Sequence, residues 1–175
     1  GPTIYQRWGK LDILVGNAAQ LGPMSPIGHI TSDAWNLVMD TNVTANWRLI
    51  RTLDPLLRLS DAGRAVFLTS AAAAGTNAYM GPYAISKAAL EALVRSYAAE
   101  LGETSVRANL IDPGPVRTGM RAKAYPGEDA SLLTPPEAIA PLVVELCLQD
   151  AVRNGEVVRF AEWNTAPRQP ALPAH

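Results

Sequence analysis

A doubly wound parallel α/β fold is predicted by three features of this 175-residue sequence. Short apolar segments alternate along the chain with longer segments of helical periodicity. The first three apolar segments run into glycine, serine or aspartate, as buried strands do where they enter loops. Parallel neighbouring strands need crossover connections, so the alternation indicates one parallel sheet covered by helices on both faces. We find no internal repeat and no linker that would divide the chain into two domains.

The strands are predicted where apolar residues run together between turn-forming residues. They cover residues 11–15, 64–70, 106–111 and 157–160. In a parallel sheet these segments are buried on both faces, which explains why their apolar runs are continuous rather than alternating.

The helices are predicted from the spacing and composition of the segments between the strands. Residues 32–59 carry apolar side chains at helical spacing, with Thr31 or Ser32 as N-cap and Pro55 bending or closing the helix. Residues 82–101 are rich in strong helix formers and end before Gly102. A third helix is predicted from the prolines at 135 and 136 to about residue 148.

Composition and charge exclude several classes of partner. The 15 basic residues nearly cancel the 16 acidic ones, and no basic run marks a nucleic-acid site. Cys147 is the one cysteine, which excludes an internal disulfide and a multi-cysteine metal site. No apolar run reaches the length of a membrane span, and the first residues lack the pattern of a signal peptide. We therefore expect a cytoplasmic protein with a small-molecule ligand, and no metal, nucleic acid or membrane partner.

A tyrosine and a lysine near the start of the helix over 82–101 are the first candidates for chemistry. Tyr83 and Lys87 lie four residues apart, so their side chains project from one helix face. A nearby ammonium favours the phenolate and moves a tyrosine toward proton transfer at neutral pH. Taken alone, the pair equally fits an exposed lysine beside a half-buried tyrosine.

Ser70 adds weight to this pair because it ends the second predicted strand. Ligands of parallel sheets bind outside the carboxyl ends of the strands, where a serine hydroxyl could hold a substrate oxygen beside Tyr83. A serine in this position can also simply end the strand and begin a turn.

Four motifs in this order resemble the short-chain dehydrogenase/reductase family, over roughly residues 1–160. The segment 16–19, Gly-Asn-Ala-Ala, is similar to the family's Asn-Asn-Ala-Gly, and Thr69-Ser70 to its serine strand end. Residues 83–87 match the family's Tyr-x-x-x-Lys, and 112–118, Asp-Pro-Gly-Pro-Val-Arg-Thr, resemble its proline-glycine segment. Four ordered motifs are far more specific than any one of them, and the resemblance implies a Rossmann-like sheet.

The resemblance implies an oxidoreductase that transfers a hydride between NAD or NADP and a small carbonyl or alcohol substrate. Tyr83 would exchange the substrate proton, Lys87 would lower the pKa of Tyr83 and bind the nicotinamide ribose, and Ser70 would orient the carbonyl. Asn42 corresponds to the family's asparagine that holds a water in a proton relay to the lysine. The residues expected to contact the cofactor are Asn17, Ala18, Tyr83, Lys87, Pro113, Gly114, Val116 and Thr118.

The chain departs from the family pattern at its amino end. Gly16 stands in place of the first Asn of the family motif, and Ala19 in place of its Gly. The glycine-rich phosphate turn and the residue that selects NAD or NADP are not found before residue 11. Residues 1–10 predict only the end of a helix. We therefore expect an amino-terminally truncated domain over 1–160, with the strand 11–15 as an open edge, and a disordered tail over 161–175.

Two alternative functions stay open. An epimerase or dehydratase of the family's extended branch shares the Tyr-x-x-x-Lys pair, although few residues follow the last strand to form a larger substrate domain. A catalytically silent binding or assembly module could keep the fold, although the joint presence of Ser70, Tyr83, Lys87 and Asn42 argues against it.

Assembly and substrate contacts are the last expectations from the sequence. The helices over 32–59 and 82–101 resemble those that pair between subunits, which predicts a homodimer or homotetramer through Trp47, Leu90, Leu93 and Val94. Tyr79 and Met80 either line a substrate pocket or simply pack. The loops 72–82 and 117–134 are predicted to offer no convergent charged group, so the substrate is not named.

Overall fold

The computed structural model describes residues 1–75 and 77–166, with one four-stranded sheet at its centre. Its strands are β1 (Ile13–Gly16), β2 (Arg64–Leu68), β3 (Arg107–Asp112) and β4 (Val157–Arg159). Every neighbouring pair is parallel, and the strand order in the sheet is the order in the chain. The predicted parallel α/β class is confirmed, and each strand lies within the segment predicted for it to within one or two residues.

Seven α-helices surround the sheet in the described part of the chain. They are α1 (Pro2–Trp8), α2 (Ser32–Met39), α3 (Ala45–Leu57), α4 (Gly81–Leu101), α5 (Gly119–Ala124), α6 (Ala140–Cys147) and α7 (Phe160–Thr165). Short 3-10 helices lie at Ile27–His29, Ala71–Ala74, Ala130–Leu132 and Pro136–Ile139. The three predicted helices are present, whereas α5 and α7 were not predicted.

The first long predicted helix contains a π-helical turn. Thr31 is its N-cap and accepts a hydrogen bond from the amide of Ala34. Residues Asp40–Thr44 form the π-helical turn between α2 and α3, and Asn42 lies within it, fully buried. Such turns are rare in helices and often lie at functional sites. Pro55 falls inside α3, two residues before the helix ends.

Helices cover both faces of the sheet, as a doubly wound fold requires. On one face, β1 to β3 pack against α3 and α4 around the buried Phe67 and Leu90. On the other face, Val66 and Ile111 pack against α6 through Leu142. Adjacent residues of β2 thus enter opposite clusters, as the alternation of side chains along a strand demands. The carboxyl ends of the strands remain uncovered by these helices.

The sequence predicted an open sheet edge at β1 and a disordered tail from residue 161. β1 is an edge strand, hydrogen-bonded on the β2 side, and Ile13 is 47% exposed. The predicted disorder from residue 161 is wrong up to residue 165, because α7 forms there and Trp163 packs against the second core cluster with Phe160. Residues 167–175 of the predicted tail lie outside the described residues.

The predicted subunit contacts are partly wrong. Leu90 and Val94 are 1% and 0% exposed, because they face the sheet and form its core. Leu93 is partly buried against the same cluster. Trp47 is 43% exposed and is the member of the predicted set that is free to meet another chain. None of the described helices has the length and apolar character needed to cross a bilayer.

Candidate active site

The carboxyl ends of the central strands open into a cleft of about 730 Å³. Ser70 lies just after β2, and Asp112 ends β3. Tyr83 and Lys87 lie in the first two turns of α4, beside these strand ends. Because parallel strands end on one edge of a sheet, the fold brings all four side chains to the cleft wall. The predicted grouping of Ser70, Tyr83 and Lys87 is therefore found in the structure.

Lys87 is almost fully buried beneath this wall, at 2% exposure. Its Nζ donates to the backbone carbonyl of Leu68 at 2.7 Å and lies 5.6 Å from the centroid of the Tyr83 ring. Burial lowers the pKa of Lys87 to about 8, because desolvation penalises the charged form. Among the described residues, the Leu68 carbonyl is the one hydrogen-bond acceptor shown for this ammonium. Lys87 therefore keeps donors for a ligand in the cleft.

The environment of Tyr83 differs from the expectation. Burial raises its pKa most, a hydrogen bond with Ser70 lowers it, and the charge of Asp112 raises it, so the net shift is upward. The predicted depression of this pKa by Lys87 is not found, because the ammonium lies over the ring and bonds to Leu68. In this state Tyr83 is a neutral phenol at neutral pH.

A third turn of α4 also holds the strand end that carries Ser70. Glu91, one turn beyond Lys87, accepts a hydrogen bond from the Thr69 hydroxyl at 2.9 Å. Arg95 pairs with the other oxygen of the same carboxylate at 2.9 Å. Thr69 is 3% exposed, so this contact is part of the interior. The end of β2 is thereby fixed to α4 at both Leu68 and Thr69.

Asn42 lies behind the cleft rather than on its wall. Its side-chain oxygen accepts from the amide of Gln20 at 2.7 Å, and its amide nitrogen donates to the Gln20 carbonyl and to Ser86 Oγ. Ser86 in turn donates to the Tyr83 carbonyl at 2.8 Å. The side chain thus joins the loop after β1 to the first turn of α4. The water relay expected for Asn42 stays a prediction, since these contacts show a positioning role.

The residues after β1 follow the prediction in part. Asn17 lines the cleft, but Ala18 is exposed and lies off its wall, where Val15 and Ala19 are found instead. Side chains alternate between the two sides of an extended segment, which accounts for this pattern. At Gly16, where the family has an asparagine, an added Cβ would overlap the ring of Phe67 and the side-chain oxygen of Asn46.

The proline-glycine segment after β3 forms the floor on the opposite side. The four predicted residues, Pro113, Gly114, Val116 and Thr118, all line the cleft. Asp112 accepts a hydrogen bond from the amide of Gly114 at 3.0 Å, and Gly114 has a φ of 67°, which glycine adopts without strain. Thr118 caps α5 by accepting from the amide of Arg121.

The far wall of the cleft was largely missed by the sequence. Met80 lines it and is 6% exposed, whereas Tyr79 is 60% exposed and points away. Arg121 and Tyr125 from α5 and the turn after it also line the cleft, so the loop 117–134 does bring a charged group to it. Because α5 was not predicted, no signal in the sequence assigned these residues to one wall. The described residues hold no group of three or more His, Cys, Asp or Glu placed to bind a metal.

The sheet order and the cleft define a doubly wound α/β protein with a ligand site at its strand ends. A family model described as Enoyl-(Acyl carrier protein) reductase matches residues 2–151, and the chain belongs to the short-chain dehydrogenase/reductase family. It is 40% identical over 151 residues to the uncharacterized oxidoreductase YciK of Escherichia coli (strain K12), which covers 86% of this chain and 60% of that protein. It is 31% identical over 170 residues to dehydrogenase/reductase SDR family member 4 of Bos taurus, covering 91% and 61%.

Solved structures give the same result. A short-chain dehydrogenase from Pseudomonas syringae superposes with a TM-score of 0.86 at 38% identity, over 90% of this chain and 65% of that one. A short-chain dehydrogenase from Shigella flexneri 2a, solved in complex with NADP, superposes with a TM-score of 0.85 at 36% identity, over 90% and 66%. The chain thus spans about 60% of the length of these two curated relatives.

Proposed function

We propose that this chain forms the catalytic part of an NAD(P)-dependent oxidoreductase that interconverts a small carbonyl compound and its alcohol. The observation that carries the proposal is the convergence of Ser70, Tyr83 and the buried Lys87 on one cleft wall at the strand ends. A buried cation with unused donors, beside a phenol and a hydroxyl, is an arrangement suited to proton transfer rather than to packing. Membership of the family and its NADP-bound relative support the choice of cofactor.

The residues present fit the nicotinamide end of such a cofactor. The parts of the cleft lining next to Asn17 and Thr118 are turns with mostly small side chains, which leaves room for a flat ring. Lys87 bonds to one acceptor in the protein, the Leu68 carbonyl, and its remaining ammonium donors could bind the hydroxyl oxygens of a ribose in this space. When bound, NAD or NADP supplies or accepts the hydride. Binding would fall to Asn17, Tyr83, Lys87, Pro113, Gly114, Val116 and Thr118.

Proton transfer falls to Tyr83 and its neighbours. Since burial keeps Tyr83 neutral, its hydroxyl can donate a proton to the oxygen of a carbonyl being reduced. Ser70 lies beside that hydroxyl and can donate a second hydrogen bond that holds the same oxygen. Lys87, with a pKa of about 8, is mostly charged at neutral pH and can donate to the ribose of the cofactor beside this phenol. We also propose that Asn42 relays a proton toward Lys87. The proposal further includes a cytoplasmic location and a homo-oligomeric state for the protein.

The proposed role of Tyr83 can be tested with the same substitution at a second tyrosine, Tyr79, as the control. The assays use the longest natural protein that contains this chain, hereafter the full-length protein. Tyr83→Phe removes the transferable proton alone, so we expect kcat to fall at least about 100-fold with cofactor Kd nearly unchanged. Tyr79→Phe is the control because Tyr79 is exposed and lies off the cleft wall. Near-normal turnover of Tyr83→Phe would overturn the proposed mechanism.

A further inference from the structure

The wall of the cleft that faces away from β1 is formed mainly by apolar side chains. It combines the residue before α4 with α5, the turn after it, and α6. Its members are Met80, Met120, Ala124, Tyr125, Ile139, Val143 and Val144. Burying an apolar group against such a wall is favourable by roughly 25 cal/mol for each Å² removed from water. The wall therefore favours a ligand with an apolar body.

Two polar side chains at this wall contact the sulfur of Met80. The sulfur of Met80 is approached by the Tyr125 hydroxyl at 3.7 Å and by the Asn77 amide nitrogen at 3.8 Å. Sulfur is a weak acceptor, so these contacts orient the two polar groups without binding them strongly. They turn the hydroxyl and the amide toward buried Met80.

Three residues of the described cleft lining carry formal charge, and each has a hydrogen-bond partner in the protein. Lys87 bonds to the Leu68 carbonyl and belongs to the proton-transfer group. Asp112 is 6% exposed and accepts from the amide of Gly114. Arg121 is the third charged residue, and it is the one that lies on the apolar wall.

In the part of the chain that the structure describes, Glu128 is the ion-pair partner of Arg121. Its Nε and Nη2 donate to the two oxygens of Glu128, both at 2.6 Å. Its guanidinium also lies over the ring of Tyr125, 3.8 Å from the centroid. Such a two-bond pair fixes both side chains and neutralises the cation. The same pairing raises the pKa of Arg121 and lowers the pKa of Glu128.

We propose that this site takes an uncharged carbonyl or alcohol with an apolar body, and that Glu128 excludes anionic substrates by holding Arg121. This inference rests on the proposed function and adds its substrate class. A carboxylate lying against the apolar wall would have to displace Glu128 from Arg121 or remain unpaired beside apolar side chains. Either alternative makes the binding free energy of an anionic substrate less favourable than that of a neutral one.

Matched ketones test this selectivity. Methyl 4-acetylbenzoate and 4-acetylbenzoate carry the same ketone and differ in one charge, and a second pair is formed by an aliphatic keto ester and its keto acid. For the full-length protein we expect kcat/KM to favour the ester of a pair at least about tenfold, because the carboxylate loses its hydration without gaining a partner. A preference for the acid in either pair would overturn the substrate class while leaving the oxidoreductase function intact.

Glu128→Gln then tests the residue assigned to exclusion. The change frees the charge of Arg121, so kcat/KM for 4-acetylbenzoate should rise about tenfold while the value for the ester stays within about twofold. Glu162→Gln is the control because Glu162 pairs with Arg159 outside the cleft lining, and it should leave both values unchanged. An unchanged acid-to-ester ratio in Glu128→Gln would show that Arg121 does not set the selectivity. If the full-length protein binds neither NAD nor NADP in a cofactor titration and reduces no member of either pair, the proposed function itself fails.

Discussion

Among the described residues, each end of the sheet contains one buried cation, and the two are hydrogen-bonded in opposite ways. At the carboxyl end, Lys87 is 2% exposed and donates to one carbonyl, that of Leu68. At the amino end, Arg64 is 4% exposed and donates to four carbonyls. These belong to Gly63, Ser105, Leu148 and Gln149. Neither cation forms an ion pair with the residues that the structure describes.

The difference shows which burial is structural and which is functional. The donors of Arg64 are spent on joining the start of β2 to the loop before β3 and to the carbonyls just after α6. A cation at the end of a helix is also favoured by the helix dipole. Lys87 has a similarly low solvent exposure but keeps donors in reserve, and desolvation, which also lowers the pKa of Arg64, lowers its pKa to about 8. A buried cation whose donors are not spent inside the protein indicates a ligand site.

Exchanging Lys87 for methionine should produce the largest effect on activity. In Lys87→Met we expect turnover of the full-length protein to fall about 1000-fold and cofactor binding to weaken, because both roles depend on the ammonium. Its stability should be unchanged or higher, since the variant no longer buries a charge. Steady-state kinetics, cofactor titration and urea unfolding measure these three quantities. If Lys87→Met lowers the free energy of unfolding but leaves turnover unchanged, Lys87 has a structural role like that of Arg64 and not a catalytic one.

Exchanging Arg64 for methionine should reverse that pattern. The methionine fills part of the space but leaves buried carbonyls without donors, so we expect a loss of about 3 kcal/mol in the free energy of unfolding. Turnover per folded molecule should stay within about twofold of the parent, because Arg64 lies at the other end of the sheet. Arg64→Lys should recover only part of the stability, since an ammonium cannot reproduce a fork that reaches four carbonyls. Full recovery with lysine would show that charge alone matters at this position.

The sequence predicted one of these two cations and not the other. Lys87 could be found because helical spacing relates it to Tyr83, and because Ser70 follows a recognisable strand. Arg64 also begins a predicted strand, but its hydrogen-bond partners are all backbone carbonyls, three of them 41 to 85 residues away. Such partners leave no residue pattern, so nothing in the sequence distinguishes Arg64 from other arginines.

The same reasoning explains what was predicted of the fold and the cleft. Strands and long helices follow from local periodicity, which depends on near neighbours in sequence. The pair of Arg121 with Glu128 and the contact of Tyr125 with Met80 depend on an irregular segment whose path is set by packing. Ala18 and Val94 were misplaced for a related reason, since a motif or a helix gives a residue's position but not the side on which it is buried.

The smallest effect that we expect is a pH dependence of stability that comes from Lys87 and not from Arg64. The folded-state pKa of about 8 lies below the ordinary value of 10.5, so the native protein loses this proton first as the pH rises. Below pH 8 both states are protonated and the full cost of burying the charge is present. Between about pH 8 and 10.5 the unfolded state binds more protons, so stability should rise with pH. From pH 7.5 to 9.5 this amounts to about 2 kcal/mol.

Subtracting the variant isolates this contribution. Cys147, Tyr83 and Tyr97 have raised pKa values and oppose the rise as the pH approaches 9 to 10, because the unfolded state ionises first. They are present in both the parent and Lys87→Met, so the difference between the two unfolding curves removes them. Arg64 stays charged throughout this range but its charge lowers the pKa of Cys147, so Arg64→Met should differ from the parent by a constant amount only below the pH at which this thiol titrates. The measurement is urea unfolding of cofactor-free protein at four pH values, and a flat difference for Lys87→Met would contradict the burial cost assigned to this lysine.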